Sequence, residues 1–551
     1  MPVALPTARL LPWGITAGVL LASIIPFVGS LDGYFLGDDF GLIWLLWNKP
    51  LAHFLTLFAS PWTETIYGYR ADELRPTLAL SYWLDARWGA ANPTGYHISN
   101  VALHALNALL VLAIARRTLA LPWVWAGAAG LLFAVMPAHA ETVVWISGRA
   151  DSLPSLFMLA AFFCFACWRT GGARGWYAAA LLGCFLALFS KQSAILLPVM
   201  LLGYEAVSPG AAAVRSSRRL AAHLPFAALT AGYLALRVAL FGNAVREDGL
   251  GGGAIASFLG RQPAYLLATF TGAETPWLSL GTVAVALGCA LLLGALAWLA
   301  FRRRVGTPLL GRRLLFFGPL WWARTVGPLV VVGYFTARHL YLTSAGIALG
   351  VALIGTALWA SRSALPQTAA ALGVAVLLGG SALLLPWATG EWSAAGRFSG
   401  AIAADAQREA AAAPEGSLLL VGAPPTGASP LMRTWVWGFS LPFALQPPFS
   451  PPGLTERIHL IERSEVHCCP RQWPAHIAAT VQRWQASNPA TPLIALGWRS
   501  SDHTLLKGSD AGLPSIRPAV EALATPQPAG SLSGAINAVL AQLGEGQPRF
   551  R

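Results

Sequence analysis

The feature that most constrains this chain is a recurrence of apolar runs with almost no charge inside them, each close to the roughly 17 to 25 residues that an α-helix needs to cross a bilayer. A first run begins beyond Arg9 and continues to Ser30, and others centre on 100–116, 122–139, 153–168, 176–190, 193–207, 220–241, 277–300, 314–335, 341–360 and 367–388. Backbone in lipid has to satisfy its own N–H and C=O groups, so these runs are predicted to be helices. The fold class expected is therefore an α-helical polytopic membrane protein with about eleven transmembrane helices. Only 11% of the 551 residues are charged, against roughly 25% in soluble chains, and the mean hydropathy is +0.57. The first run lacks a small-x-small cleavage site and reads as a retained span. The 176–207 block reads as two helices; one broken helix is the alternative, and it would invert everything downstream.

The net charge of +13 does not imply a nucleic-acid partner, because the basic residues sit in short loops between spans, where the positive-inside rule expects them. With eleven spans and a cytoplasmic N-terminus, Arg9, Arg116-Arg117, Arg169 with Arg174, Arg215 with Arg218-Arg219, Arg302-Arg303-Arg304 with Arg312-Arg313, and Arg362 all fall on the cytoplasmic side. The 31–99 loop, the 140–152 loop, the 242–276 loop with its Gly249 to Gly253 turn, and everything after 389 then lie outside. The location expected is a bacterial inner membrane, with the C-terminal part periplasmic. Six cysteines are too few and scattered for a disulfide framework. Cys164 and Cys167 lie inside an apolar span and read as packing residues, while Cys468-Cys469 admit a disulfide or free thiols.

Two domains are expected, a membrane domain over 1–390 and a small soluble α/β domain over 391–551. In the second, β-like runs at Ser417–Val421, Arg457–Ile461 and Leu493–Leu496 alternate with helical patterns at Pro474–Ala486 and Leu532–Leu543, and proline-rich stretches such as 447–452 are loops. No repeat with a 34-residue period is visible.

The chemistry-bearing residues gather on the outer side. Asp38-Asp39 directly follows the first span, where a charged pair is costly unless it is hydrated, paired or bound to a cation. His97, Asn100, His104 and Asn107 share one side of a helix within roughly a quarter of its circumference; they are either hydrogen-bonding glue between helices or the polar wall of a substrate cavity. His139-Ala140-Glu141 and Arg149-Ala150-Asp151 rebuild a charged cluster after two more spans, either pairing locally or orienting a base, a cation or a phosphate. Lys191 is the only lysine among the spans, and Arg338 with Tyr341 lies at another outer junction. Fixed cations there suit a leaving phosphate, and interfacial snorkelling also places them there.

Taken in order, Gly37-Asp38-Asp39-Phe40, Leu74-Arg75-Pro76-Thr77-Leu78, Trp88-Gly89, Asn92-Pro93-Thr94-Gly95-Tyr96-His97-Ile98-Ser99-Asn100 to His104, Pro137-Ala138-His139-Ala140-Glu141, Gly148-Arg149-Ala150-Asp151, Ser190-Lys191 and Arg338-His339-Leu340-Tyr341-Leu342 form a linked series. It resembles the membrane domain of the transmembrane O-mannosyltransferases with tetratricopeptide repeats, which belong to the GT-C class of polyprenyl-phosphate-sugar glycosyltransferases. The resemblance covers about 30 to 390. Gln192 and Ala337 stand where that family commonly has glutamates, and the repeats are absent, so the donor type carries over better than the acceptor.

The resemblance implies a membrane glycosyltransferase of inverting type, moving a sugar from a polyprenyl-phosphate donor to a periplasmic acceptor (protein, lipid or glycan) that the C-terminal domain helps to bind. It assigns the catalytic base to the acidic pair: Asp39 is favoured, with Asp38 orienting it or binding a metal, and Glu141 and His97 supporting. Arg75, Lys191 and Arg338 are placed at the phosphate. His97, Asn100, His104, His139, Arg149 and Tyr341 complete the substrate-binding set. A divalent cation (Mg or Mn) on Asp38, Asp39 and Glu141 is admitted but not required. The rival reading is a transporter or flippase, which predicts broken helices and acids near the bilayer midplane in corresponding halves; here the acids gather at one surface.

Overall fold

Satisfying backbone polarity internally makes the apolar runs helical in the computed structural model. It describes residues 7–67, 73–208, 217–245, 254–273, 308–332, 334–422, 434, 436–437, 440–462, 473–487, 491–499, 502–512, 515–528 and isolated positions beyond 533. Among these, six helices are long and apolar enough to cross a membrane: Leu10–Ser30, Pro93–Thr118, Ile146–Arg169, Arg219–Phe241, Ala337–Trp359 and Ala364–Ala412. Three shorter apolar helices are Trp123–Val135, Arg174–Leu188 and Gln192–Val207. The span predicted at 277–300, Arg215, Arg302-Arg303-Arg304, Gly249 to Gly253, Cys468-Cys469 and most of Leu532–Leu543 lie outside the described residues.

Burial sorts the helices into layers. The most apolar windows of Ala337–Trp359 and Ile146–Arg169 are 78% and 72% buried, whereas those of Leu10–Ser30 and Arg219–Phe241 are only 17% buried. The first two, with Pro93–Thr118 and Trp123–Val135, therefore form the centre, and the others turn most of their apolar surface outward, as helices facing lipid do. The 176–207 block is two helices, separated at 189–191 and restarting through a short 3-10 turn over Gln192–Leu196.

Two departures from the sequence reading have local causes. The 314–335 span is broken into Pro308–Leu315, Phe316–Leu320, Trp321–Val326 and Leu329–Val332, because Pro319 and Pro328 lack amide donors and Gly318, ahead of the first, leaves helical backbone at φ -90 and ψ -107. The 31–99 segment is mostly helix rather than loop, with Asp38–Leu46, His53–Thr56, Glu64–Tyr67 and Pro76–Gly89 ahead of the helix that starts at Pro93. Asn92 caps that last helix through its side chain, accepting the Thr94 amide at 3.1 Å.

The Ala364–Ala412 helix has 49 residues, about 74 Å at 1.5 Å per residue, and so runs about 40 Å past a hydrocarbon core of roughly 30 Å. It crosses residue 390 without a break and carries the C-terminal sheet at its far end. That sheet has four strands, β1 Leu418–Gly422, β2 His459–Glu462, β3 Leu493–Trp498 and β4 Leu505–Ser509, in the order β2-β1-β3-β4. β1 is parallel to both neighbours, and β4 is antiparallel to β3. β1 is apolar throughout because both of its faces are covered: Leu418 and Leu420 pack with Ile477, Val481 and Trp484 of the Trp473–Ser487 helix, while Leu419 and Val421 face the main core.

Candidate active site

The acidic pair opens the Asp38–Leu46 helix, where exposed backbone N–H groups favour carboxylates. Gly37, the N-cap, has φ 45, a left-handed value that glycine takes at little cost. The turn sends the two acids in different directions. Asp39 is buried; its Oδ2 accepts the Leu36 amide at 2.8 Å, and its Oδ1 accepts the Ser147 amide at 2.8 Å and the Ser147 hydroxyl. Loss of water drives its carboxyl up to about 7, against the pull of those hydrogen bonds. Asp38 has no hydrogen bond or ion pair among the described residues. Its carboxyl is pushed up to about 6 by burial and next by the Glu73 charge, with Arg338 and Arg75 opposing.

Around Asp38 the cations are each held by an acid. Arg75 pairs with Glu73 at 3.1 Å, Lys191 with Asp151 at 2.5 Å, and Arg338 with Glu141 at 2.8 Å and Asp151 at 3.5 Å. Glu141 uses its second oxygen as well, accepting the Arg338 backbone amide at 2.8 Å. The Arg338 guanidinium lies 4.8 Å over the Trp145 ring. Burial, and the neighbouring Arg75 and Arg338, lower the Lys191 ammonium, with Asp151 acting against them. These groups come from the starts or ends of five helices, so one end of the bundle assembles them. Gly148 makes the assembly close: a Cβ there would stand 2.5 Å from the Glu141 carbonyl oxygen. Only glycine lets the 146–148 turn fold against His139–Val144, which delivers Ser147 to Asp39 and Glu141 to Arg338.

The remaining candidates bond to neighbouring elements. His97 Nε2 meets the Gly33 carbonyl at 2.9 Å. The Asn100 amide donates to Val143, Trp145 and Ile146 carbonyls at 3.0 to 3.3 Å. His104 bridges the Tyr341 hydroxyl (2.8 Å) and the Ala134 carbonyl (3.0 Å), and Asn107 donates to Ser152 O at 3.0 Å. All four are buried. Through these bonds the polar stripe joins Pro93–Ala113 to its neighbours, the hydrogen-bonding alternative that the sequence left open. His139 is likewise buried, with Nε2 at 2.7 Å from Ser344 Oγ. Arg149 does not take the local pairing with Asp151 that the sequence admitted; it pairs with Asp85 at 2.5 Å and is held by Asn100 Oδ1 at 2.7 Å and Tyr96 O at 3.0 Å.

Three residues of the assembly were not singled out from sequence: Glu73, Asp85 and Ser147. Asp85 carried a readable signal, since it is the one acid in Pro76–Gly89 and a lone carboxylate in an apolar helix calls for a cation. Ser147 carried none.

Fold and site together define a multi-pass membrane protein with a charge-paired cluster at one end of its helix bundle. No family model matches the chain. It is similar to protein O-mannosyl-transferase TMTC1 of Mus musculus, 33% identical over 168 residues, which is 29% of this chain and 18% of that protein. It is also similar to Tmtc1 of Drosophila melanogaster, 31% identical over 185 residues, covering 32% and 21%, and to TMTC2 of Homo sapiens, 36% identical over 130 residues, covering 21% and 15%. The chain thus spans about a fifth of the length of these curated relatives. Among solved structures, ArnT from Cupriavidus metallidurans bound to undecaprenyl phosphate aligns with a TM-score of 0.48 and 14% identity, over 90% of this chain and 94% of that one. The oligosaccharyltransferase AglB from Archaeoglobus fulgidus, in complex with an inhibitory peptide and a dolichol-phosphate, aligns at 0.47 and 11%, over 89% and 70%.

Proposed function

We propose that the chain is a membrane glycosyltransferase that takes a sugar from a polyprenyl-phosphate donor and passes it, with inversion, to an acceptor hydroxyl on the outer face of a bacterial inner membrane. The observation that carries this reading is a carboxylate without a partner among the described residues, Asp38, set near Arg75 and Arg338, which in turn neighbour Lys191. An acceptor O–H loses its proton to Asp38 as its oxygen bonds to the anomeric carbon, and the bond from that carbon to the phosphate oxygen breaks. The departing lipid phosphate is stabilised by the three cations, a contribution of about 10² to 10³ in rate for each well-placed donor. The similarity to the O-mannosyl-transferases supports the same chemistry.

This reading exchanges the roles that the sequence suggested for the two acids. A base needs a free oxygen facing the substrate, and both oxygens of Asp39 are taken by Leu36 and Ser147. Glu141 acts through Arg338, which it holds twice. The same occupancy makes Asp39 and Glu141 poor ligands for a divalent cation. Purified protein incubated with labelled polyprenyl-phosphate sugars is expected to cleave the donor, and Asp38→Asn to lose turnover by at least about 10² while remaining folded. Wild-type turnover by Asp38→Asn would overturn the assignment.

A further inference from the structure

The residue before Asp38 is held from the far end of the chain. The Gly37 amide donates to the Val436 carbonyl at 3.0 Å, and the Gly37 carbonyl accepts the Ser440 hydroxyl at 2.7 Å, 403 positions away. Both backbone polar groups of Gly37 are therefore fixed by the C-terminal part. The holding segment is fixed in turn. Glu462, buried at the end of β2, accepts the backbone amides of Ser440 and Leu441, the latter at 3.3 Å. Aromatic packing closes the other side: Phe40 stacks on Trp437 at 4.8 Å and 20°, and Phe449 meets Phe35 and Phe40 edge-on at 5.1 and 4.9 Å. Trp44 touches Phe443 at 4.9 Å and donates to Gln446 at 3.0 Å.

We propose that Val436, Trp437 and Ser440, backed by Glu462 and Phe449, are positioning residues of the active site that fix the Gly37 turn so that Asp38 faces the cations while Asp39 faces Ser147. Adjacent carboxylates on one helical turn differ only in direction, so a rotation about the Gly37–Asp38 peptide is enough to exchange which one is offered to the substrate. Gly37 has no side chain to resist that rotation, and its φ of 45 lies in a region that glycine enters and leaves easily. The resistance comes from the two hydrogen bonds and the Phe40–Trp437 stack. A C-terminal domain serving only to bind an acceptor has no need to clamp both polar groups of this residue. The catalytic consequence rests on the assignment of Asp38 as base; the clamp itself does not.

The test uses the full chain in detergent with two readouts, amide hydrogen exchange across residues 34–46 and turnover of a labelled polyprenyl-phosphate sugar. Ser440→Ala and Trp437→Leu are expected to speed exchange in 34–46 while leaving exchange in 93–118 unchanged. They are also expected to lower kcat by about ten- to a hundred-fold, the scale of a catalytic group misplaced by about 1 Å, with donor KM held within a factor of about two because the cations stay in place. Ser440→Thr, which keeps the hydroxyl, restores both, and Glu456→Gln on an exposed turn changes neither. Unchanged exchange in the two variants overturns the proposal, as does faster exchange with wild-type kcat. If the wild type turns over no donor while the variants still exchange faster, the reading of the enzyme fails and the clamp stands.

Discussion

Arg149→Met separates a residue that builds the site from one that binds substrate. Arg149 is 1% exposed, pairs with Asp85 at 2.5 Å, and donates to Asn100 Oδ1 at 2.7 Å, Tyr96 O at 3.0 Å and Ser81 O at 3.2 Å. Methionine keeps much of the volume and deletes the charge, leaving the Asp85 carboxylate, 12% exposed, without its partner in an apolar surrounding. Breaking a buried pair from one side costs about 3 to 5 kcal/mol, and the Asn100 oxygen stranded beside it adds about 1 kcal/mol. The apparent Tm in detergent is expected to fall by on the order of 5 °C or more. Adding Asp85→Leu removes the orphaned charge and is expected to recover at least about 2 kcal/mol of the loss. The folded fraction of Arg149→Met should keep the wild-type donor KM. A variant of wild-type stability whose donor KM rises tenfold would refute the reasoning and return Arg149 to the substrate.

Turnover is expected to rise with pH through about 6, as the Asp38 carboxyl ionises. Glu73→Gln removes a neighbouring negative charge and moves that limb to lower pH, whereas Arg75→Gln moves it to higher pH; a pH–kcat profile that is the same in all three proteins would refute the Glu73 and Arg75 contributions. Glu141→Gln frees Arg338 from its only doubly bonded acid, and donor KM should rise by about tenfold, one lost charge-assisted contact of roughly 1.5 kcal/mol, measured by initial rates against donor concentration. His104→Leu cuts a bridge between Tyr341 and Ala134 and should lower the apparent Tm with donor KM unchanged.

Much of this architecture was legible because its cause is one-dimensional. Bilayer thickness converts directly into run length, so six helices long enough to cross could be read off hydropathy, and helical spacing placed His97, Asn100, His104 and Asn107 on one face. What spacing does not contain is the partner. A face aimed at a cavity and a face aimed at the carbonyls of a neighbouring helix have the same periodicity, and only tertiary placement shows that Asn100 meets Val143, Trp145 and Ile146. Ion pairing was illegible for the same reason. Arg149 and Asp151 are close in sequence, yet they lie in the first turn of one helix and pair outward, with Asp85 and Lys191. The breaks at Gly318-Pro319 and Gly327-Pro328 were written in the sequence and were outweighed by the hydropathy of the flanking residues.

The same distinction governs the acidic pair. As sequence, Asp38 and Asp39 are interchangeable, and the second was favoured as base only through the resemblance. Their hydrogen bonds tell them apart. A carboxylate that accepts three hydrogen bonds is oriented and shielded, with no lone pair facing a substrate, and Asp39 spends its charge tying the 34–39 turn to Ser147. Asp38, one residue earlier, stands about 100° around the helix start and reaches the side where Glu73, Arg75 and Arg338 lie. Raising its carboxyl to about 6 makes it a stronger base than an exposed aspartate while leaving it mostly ionised at neutral pH, the compromise that general-base catalysis favours. In the proposed mechanism a free carboxylate matters because the described cations of the cluster are each already paired with another acid, which holds them in place for a departing phosphate.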